Sequence, residues 1–211
     1  MWADLSTPWQ ACLEEAWTAY CAGTIPIGAA ITDGEGKILS RGRNRIWDAN
    51  VPAGQVGQTE LAHAELNALL ALGVDQGDRH TWALYTTTEP CPLCLGAFYM
   101  SGVRNLHYAS RDPWAGSTNL LGTTPYLSRK AIHVTGPEDP QLEVAIVALF
   151  VEWELYSYRE RLSVVREGLQ IIVPLGVSLG TELYRSGKLR QMALVAAPTA
   201  EVYNILTGDN H

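Results

Sequence analysis

The run Trp82-Ala83-Leu84-Tyr85-Thr86-Thr87, followed at once by Thr88-Glu89-Pro90-Cys91-Pro92-Leu93-Cys94, decides how this chain folds. Trp82 to Thr87 is rich in β-forming residues and reads as a short strand. A helix should open near Cys91 and run to about Ser101, so a strand hands over to a helix with a Cys-x-x-Cys pair at the joint. The alternation continues outward. Upstream, Leu61 to Gly73 reads as a helix carrying Leu61, Leu66, Leu69, Leu70 and Leu72, preceded by a polar loop from Arg43 to Glu60. Before that loop, Ile25 to Thr32 and Lys37 to Arg41 read as strands joined by the turn Asp33-Gly34-Glu35-Gly36. The first helix spans about Pro8 to Cys21, with Thr7 as cap, Gln10 at the capping-box position and Gly23 beyond its end. Trp9, Leu13, Ala16, Trp17 and Tyr20 share one face at helical spacing. Downstream, Val103 to Ala109 and Ala131 to Thr135 complete the strands. Alternating strands and helices predict an α/β sheet covered on both faces.

The pattern changes at Gly136-Pro137-Glu138-Asp139-Pro140, which reads as a turn or short linker. Beyond it the chain is helical, roughly over Gln141–Arg161, Leu162–Val173 and Val177–Leu194. The expected organisation is a domain over residues 1–135 and a helical C-terminal extension over 136–211. The apolar runs Val144–Val151 and Leu169–Leu179 are too short or too interrupted by Gln170, Pro174 and Gly176 to span a bilayer. They, and Leu169, Ile171, Ile172, Val173 and Leu175 in particular, should be buried on the domain or on a partner subunit.

Composition bounds the function. The chain is 47% hydrophobic and 18% charged, enough for a real core, and its net charge of -7 gives no general attraction to a phosphate backbone. Four cysteines do not make a disulfide framework in a chain this long. Met1 to Trp9 has no basic and apolar signal-peptide pattern. A cytoplasmic location is the expectation.

Three residues carry the chemistry. Cys91 and Cys94 lie about one helical turn apart, so both sulfurs can face one ion, and His63 adds a nitrogen. One nitrogen and two sulfurs suit Zn2+ and leave a fourth position open, which separates a catalytic site from a structural one. Glu65, two positions from His63, cannot share the same ligand direction. It can stand beside a water and shuttle protons.

His63-Ala64-Glu65 with Pro90-Cys91-Pro92-Leu93-Cys94 matches the pattern H-x-E…P-C-x-x-C. With these residues the chain resembles the cytidine deaminase-like zinc deaminases, in the branch of tRNA adenosine, guanine and fungal-type cytosine deaminases. Ile25-Pro26-Ile27-Gly28-Ala29, Gly42-Arg43-Asn44, Thr88-Glu89-Pro90 and Ser110-Arg111-Asp112 support that branch, and the resemblance covers about residues 8–135. It implies a three-layer α/β/α fold with a mixed, roughly five-stranded sheet, to which the helical C-terminal extension is added. It also implies one zinc per chain, a homodimer, and, in some relatives, closure of the site by C-terminal residues. By the same resemblance Asn44 hydrogen-bonds the substrate ring, Ile25 packs on it and the Ala64 backbone touches it. Glu89 and Pro90 support the cysteine helix, and Asp112 lies towards the sugar. Trp114 departs from the RNA-acting relatives, which carry something smaller or more polar there. It is kept as a candidate contact.

The expected activity is hydrolytic deamination of a nucleobase, nucleoside or related amino-heterocycle, with release of ammonia. A tRNA adenosine-to-inosine deaminase is the second reading. A catalytically inactive, zinc-stabilised interaction module is the third, against which Glu65 argues. RNA is disfavoured: residues 136–211 hold six basic and ten acidic side chains, and Arg41, Arg43 and Arg45 form one small patch, with Arg129-Lys130 the only addition. A small-molecule substrate is expected, with no membrane partner. Trp47 is a candidate for the pocket wall. Cys12 and Cys21 read as helix residues outside the site, and His80, His107, His133 and His211 as structural or exposed.

Overall fold

The computed structural model describes residues 1–73, 77–157 and 163–208. Five strands form one mixed sheet in the order β2-β1-β3-β4-β5. They are β1 (Gly28–Thr32), β2 (Ile38–Arg43), β3 (Ala83–Thr88), β4 (Asn105–Ser110) and β5 (His133–Thr135). β1 runs antiparallel to β2 and β3, while β3, β4 and β5 are parallel. Alternation along β1 sets the layers. Ala30 points to α1 (Thr7–Cys21) and α4 (Pro140–Ser157), whereas Ala29 and Ile31 point to α2 (Ala64–Ala71) and α3 (Pro92–Ser101). The remaining helices are α5 (Ser163–Ile172), α6 (Pro174–Ser186), α7 (Lys188–Leu194) and α8 (Thr199–Leu206).

The face of α1 is as read: Trp9, Leu13, Ala16, Trp17 and Tyr20 are all buried. Its start differs. Ser6, not Thr7, precedes the first turn, no side chain caps it, and Gln10 donates to the Trp2 carbonyl instead of closing a capping box.

Helix α2 is shorter than expected and packs through different residues. Its buried face is Ala64, Glu65, Asn67 and Ala68, while Leu61 and Leu70 are 54% and 43% exposed. The cause is Gly42 on β2: a Cβ there would lie 2.4 Å from the Ala64 carbonyl oxygen and 2.3 Å from the Ala68 nitrogen. Helix backbone lies directly on strand backbone, so only small residues fit between.

The extension packs on the first 135 residues. Leu142, Ile146, Leu149 and Trp153 of α4, with Leu183, Leu189, Val202 and Leu206, share one core with Trp9, Leu13 and Trp17. The single helix expected over Val177–Leu194 is two, because Gly187 takes a left-handed conformation at φ 67° and α6 begins already at Pro174. The C-terminal helix α8 lies beyond the helices expected from the sequence and buries Val202, Tyr203 and Leu206. The apolar segment after Leu169 is only half buried: Leu169 and Val173 are inside, but Ile171 and Leu175 are 82% and 72% exposed. Four residues make about one helical turn, so Leu169 and Val173 share a face that Ile171 does not. His107 bonds Glu138 and stacks on Tyr85, while His80 and His133 are exposed. The expected helix ends at Arg161 and Leu162, and His211, lie outside the described residues. Among the described residues no helix is long and apolar enough to cross a membrane.

Candidate active site

The parallel pair β3–β4 brings Thr88 opposite Ser110 at the strands' carboxyl ends, where α/β sheets place their ligand crevices. The chain after Thr88 turns into α3. Cys91 occupies the N-cap position with extended backbone (φ −70°, ψ 172°), and Cys94 lies in the first turn. His63, read as a helix residue, instead occupies the N-cap of α2 with extended backbone (φ −76°, ψ 157°), and Glu65 opens that helix. Two helix N-termini therefore converge, and their dipoles favour the thiolate form of the cysteines.

The Nδ1 of His63 lies 3.4 Å from each of the sulfurs of Cys91 and Cys94, and all three candidate ligand atoms lie within 4.8 Å of one another. Two ligands at about 2.1 and 2.3 Å on a tetrahedral ion would be about 3.6 Å apart, so the cluster fits zinc without rearrangement. The Glu60 backbone hydrogen-bonds the His63 ring and so orients it. Contact with Cys94, with the His63 ring beside it, holds the Cys91 thiol down at about 4, and the same contact, with burial, pushes Cys94 up. One of the pair is already set up as a thiolate, and an ion between them would favour the second.

Glu65 is 5% exposed, and its Oε2 accepts from the Cys94 sulfur at 3.3 Å. Burial pushes its carboxyl upward from the ordinary carboxylate range. Once Cys94 is a thiolate, that bond loses its proton and Oε2 is released for another donor.

A cavity of about 190 Å³ opens on this cluster. Asn44, Ile25, Ala64, Glu89, Asp112 and Trp114 line it with His63, Glu65 and Cys91. Asn44 is 2% exposed and its Oδ1 accepts the Ile46 N–H, which leaves its amide NH2 as the group turned to the cavity. Asp112 closes its own turn, its Oδ1 accepting from the Trp114 and Ala115 N–H groups at 2.9 Å. Glu89 accepts from the Thr118 N–H and hydroxyl, and the Pro90 carbonyl accepts the Ser117 N–H. Both residues thus hold the loop that follows Trp114. Trp114 itself is 68% exposed.

Two expectations change. Trp47 is not on the cavity wall; it stacks on buried Trp153 of α4 at 6.0 Å, because its loop folds back under the extension. The basic patch is internal: Arg43 and Arg45 are buried and pair with Asp48, and Arg41 pairs with Glu14. The resemblance implied closure by C-terminal residues in some relatives, but the residues that form the roof here were not read from the sequence. Ile146, Val147 and Phe150 of α4 and Val165 and Leu169 of α5 line the same cavity. The run Val144–Val151 signalled burial but not against what. Arg111, also in the lining, is clamped by Glu143 of α4 through two bonds at 2.9 Å and donates to the Ile172 carbonyl of α5.

A mixed sheet with a His-Cys-Cys cluster between two helix N-termini defines a zinc-binding α/β protein of the deaminase class. The family model for the cytidine and deoxycytidylate deaminase zinc-binding region matches residues 4–110, and the chain belongs to that family. It is similar to a tRNA-specific adenosine deaminase of Bacillus subtilis, 34% identical over 52% of this chain and 63% of that one. It is also similar to a probable cytosine deaminase of Schizosaccharomyces pombe, 31% identical over 58% and 70%. Guanine deaminase from Nitrosomonas europaea aligns structurally with a TM-score of 0.55 at 28% identity, over 70% of this chain and 83% of that one. The chain thus spans less than two thirds of the Bacillus enzyme. The family match ends before α4 and α5 begin.

Proposed function

We propose that this chain is a zinc-dependent hydrolytic deaminase of a free amino-heterocycle, with His63, Cys91 and Cys94 as metal ligands. In this reading residues 1–135 are the deaminase domain and 136–211 its roof. The observation that carries it is Glu65, buried beside the three-ligand cluster at the floor of a roofed cavity. A structural zinc has no use for that acid. Bound zinc would supply hydroxide at neutral pH by lowering the pKa of water to about 7.

The chain's own residues do the rest. The Asn44 amide NH2 donates to an acceptor on the ring, and Ile25 and Ala64 pack against it. Glu65 takes one proton from the attacking water as oxygen bonds to the amino-bearing carbon and passes it to the ring nitrogen; it then takes the remaining proton of that oxygen and delivers it to the amine as the C–N bond breaks. Water and amine become carbonyl and ammonia. The roof keeps bulk water out, which strengthens each of these interactions.

Size and charge favour a small molecule over RNA. A cavity of about 190 Å³ is somewhat larger than the roughly 150 Å³ cavity that accommodates benzene. It suits one or two rings. The arginines nearest Asn44 are spent on Asp48, so they offer phosphates nothing. A homodimer would cover the apolar surface left at Leu61 and Leu70 and at Leu93 and Met100 on α3. Sedimentation showing a monomer at micromolar concentration would remove that part.

The test is ammonia release from free bases, nucleosides and a tRNA anticodon stem-loop, with the zinc-loaded chain and Glu65→Gln. The substitution should keep zinc and fold but lower kcat by roughly 10²–10⁴-fold. Turnover of the stem-loop alone would install the tRNA reading. Activity of Glu65→Gln within a few-fold of wild type would remove Glu65 from the mechanism.

A further inference from the structure

We infer that the ring accepted by this site carries a hydrocarbon substituent on the side facing α4 and α5, and neither sugar nor phosphate. The inference rests on the deaminase reading above and concerns the substrate class. Its first ground is the chemistry of the roof. Ile146, Val147, Phe150, Val165 and Leu169 offer no hydrogen-bonding side-chain atom. A sugar hydroxyl placed against them would leave water without a replacement partner, a loss of roughly tenfold or more in affinity per group.

The second ground is that several polar side chains of the wall already make hydrogen bonds within the protein. Glu89 holds Thr118, Asp112 holds its own turn, the Ser110 hydroxyl donates to the Arg111 carbonyl, and Arg111 is clamped by Glu143. The Asn44 amide NH2 and Glu65 are suited to the polar edge of a ring. The third ground is charge. Glu65, Glu89 and Asp112 face the cavity, while the one arginine among the described lining residues is paired. A phosphate would meet carboxylates and no unpaired arginine. The volume leaves room for a single ring with a short alkyl group, or a bicyclic ring with a methyl.

The roof is contributed by helices beyond the residues that the family model matches. The probes are an aminopyrimidine and an aminopurine, each as the bare base, as its ring-methylated and ring-ethylated derivatives, and as the nucleoside. Ammonia release and calorimetric Kd are both measured on the full zinc-loaded chain. At one ring position each added carbon should lower KM and Kd about fourfold, and the nucleosides should bind at least tenfold more weakly than the bases. Val165→Thr keeps the side chain's shape but puts a hydroxyl in the roof, and should reduce the ratio of alkylated to bare base to within twofold. Ile146→Val removes one carbon without adding polarity and should shift the optimum to the larger substituent. Equal KM and Kd for bare and alkylated rings at every position, or a preference for nucleosides, would overturn the inference. Ammonia release without an alkyl preference overturns it and leaves the deaminase reading standing. Tighter binding of alkylated rings without ammonia release supports the roof's role and overturns the deaminase reading.

Discussion

Replacing Gly168 by alanine separates stability from positioning. Gly168 lies on α5 between the roof residues Val165 and Leu169, and it faces Pro113 between Asp112 and Trp114. A Cβ at this position would sit 2.6 Å from Pro113 Cγ and 2.7 Å from its Cβ. Ordinary contact begins at 3.4 Å, so helix or loop must retreat by the difference, 3.4 − 2.6 = 0.8 Å. A proline ring cannot swing aside as a long side chain would. Alanine favours the helix by about 1 kcal/mol over glycine, while overpacking costs about 1–3 kcal/mol. The net effect on folding is therefore small, between neutral and about 2 kcal/mol destabilising. The effect on the site is larger, because a misplacement near 1 Å can cost up to about 10²-fold in rate. Urea unfolding and steady-state kinetics on the same preparation should show kcat/KM reduced about tenfold or more, with stability nearly unchanged. Activity within twofold of wild type at unchanged stability would refute the reasoning, as would an activity loss that merely tracks the unfolded fraction.

Cys91→Ser should lower zinc content well below one per chain and lower Tm, because metal affinity is coupled to folding; full zinc retention would mean another residue completes the ligand set. Glu152→Gln tests a buried carboxyl that accepts from the Tyr20 hydroxyl at 2.6 Å and from Arg190 at 3.1 Å. Burial raises Glu152 above its ordinary 4.5, so the folded state holds the proton more tightly than the unfolded one, and the wild type loses stability as pH rises through the window that starts there. The stability difference should thus move in favour of Glu152→Gln as pH rises above about 4.5, and a pH-independent difference would contradict the assignment. A fragment of residues 1–135 should aggregate, since removing Leu142, Ile146, Leu149 and Trp153 uncovers Trp9, Leu13 and Trp17. At about 1.5–3 kcal/mol per large side chain, the loss is comparable with a whole domain's stability of about 5–15 kcal/mol. A monodisperse, active fragment would show that the extension is dispensable.

The metal-ligand set was legible because His63, Glu65, Cys91 and Cys94 combine fixed spacing with side chains that have few other uses together. The α1 face was legible because five large residues recur at helical period. The leucines around α2 misled for a definite reason. Periodicity reports which residues are apolar, but which face goes inward here is set by Gly42, on a strand more than twenty residues earlier. Which residues of the extension form the roof was illegible on similar grounds. Val144–Val151 is apolar on every side, so its pattern states burial without direction, and the part of it that meets the cavity follows from where α4 crosses the sheet. The Arg41-Arg43-Arg45 cluster looked like a surface patch because sequence does not show that Asp48 folds back between Arg43 and Arg45.

What fixes that crossing is charge rather than apolar pattern. An all-apolar helix could slide by one turn and still bury hydrocarbon. Helix α4 cannot, because Glu143, Glu152 and Glu154 are buried along it and each meets a partner on a different element. Glu143 grips Arg111 in the loop after β4, Glu152 grips Tyr20 of α1 and Arg190 of α7, and Glu154 grips Arg166 of α5 at 2.5 Å. A slip of one turn, about 5.4 Å, would strand all three carboxylates away from their donors. An uncompensated buried charge costs about 3–5 kcal/mol, so even one stranded carboxylate outweighs most of what hydrophobic sliding could recover. The three pairs contribute little net stability by themselves; their consequence is register. That register is what holds Ile146, Val147 and Phe150 over the cavity, and through Arg111 it ties the roof to the same loop that carries Asp112 and Trp114.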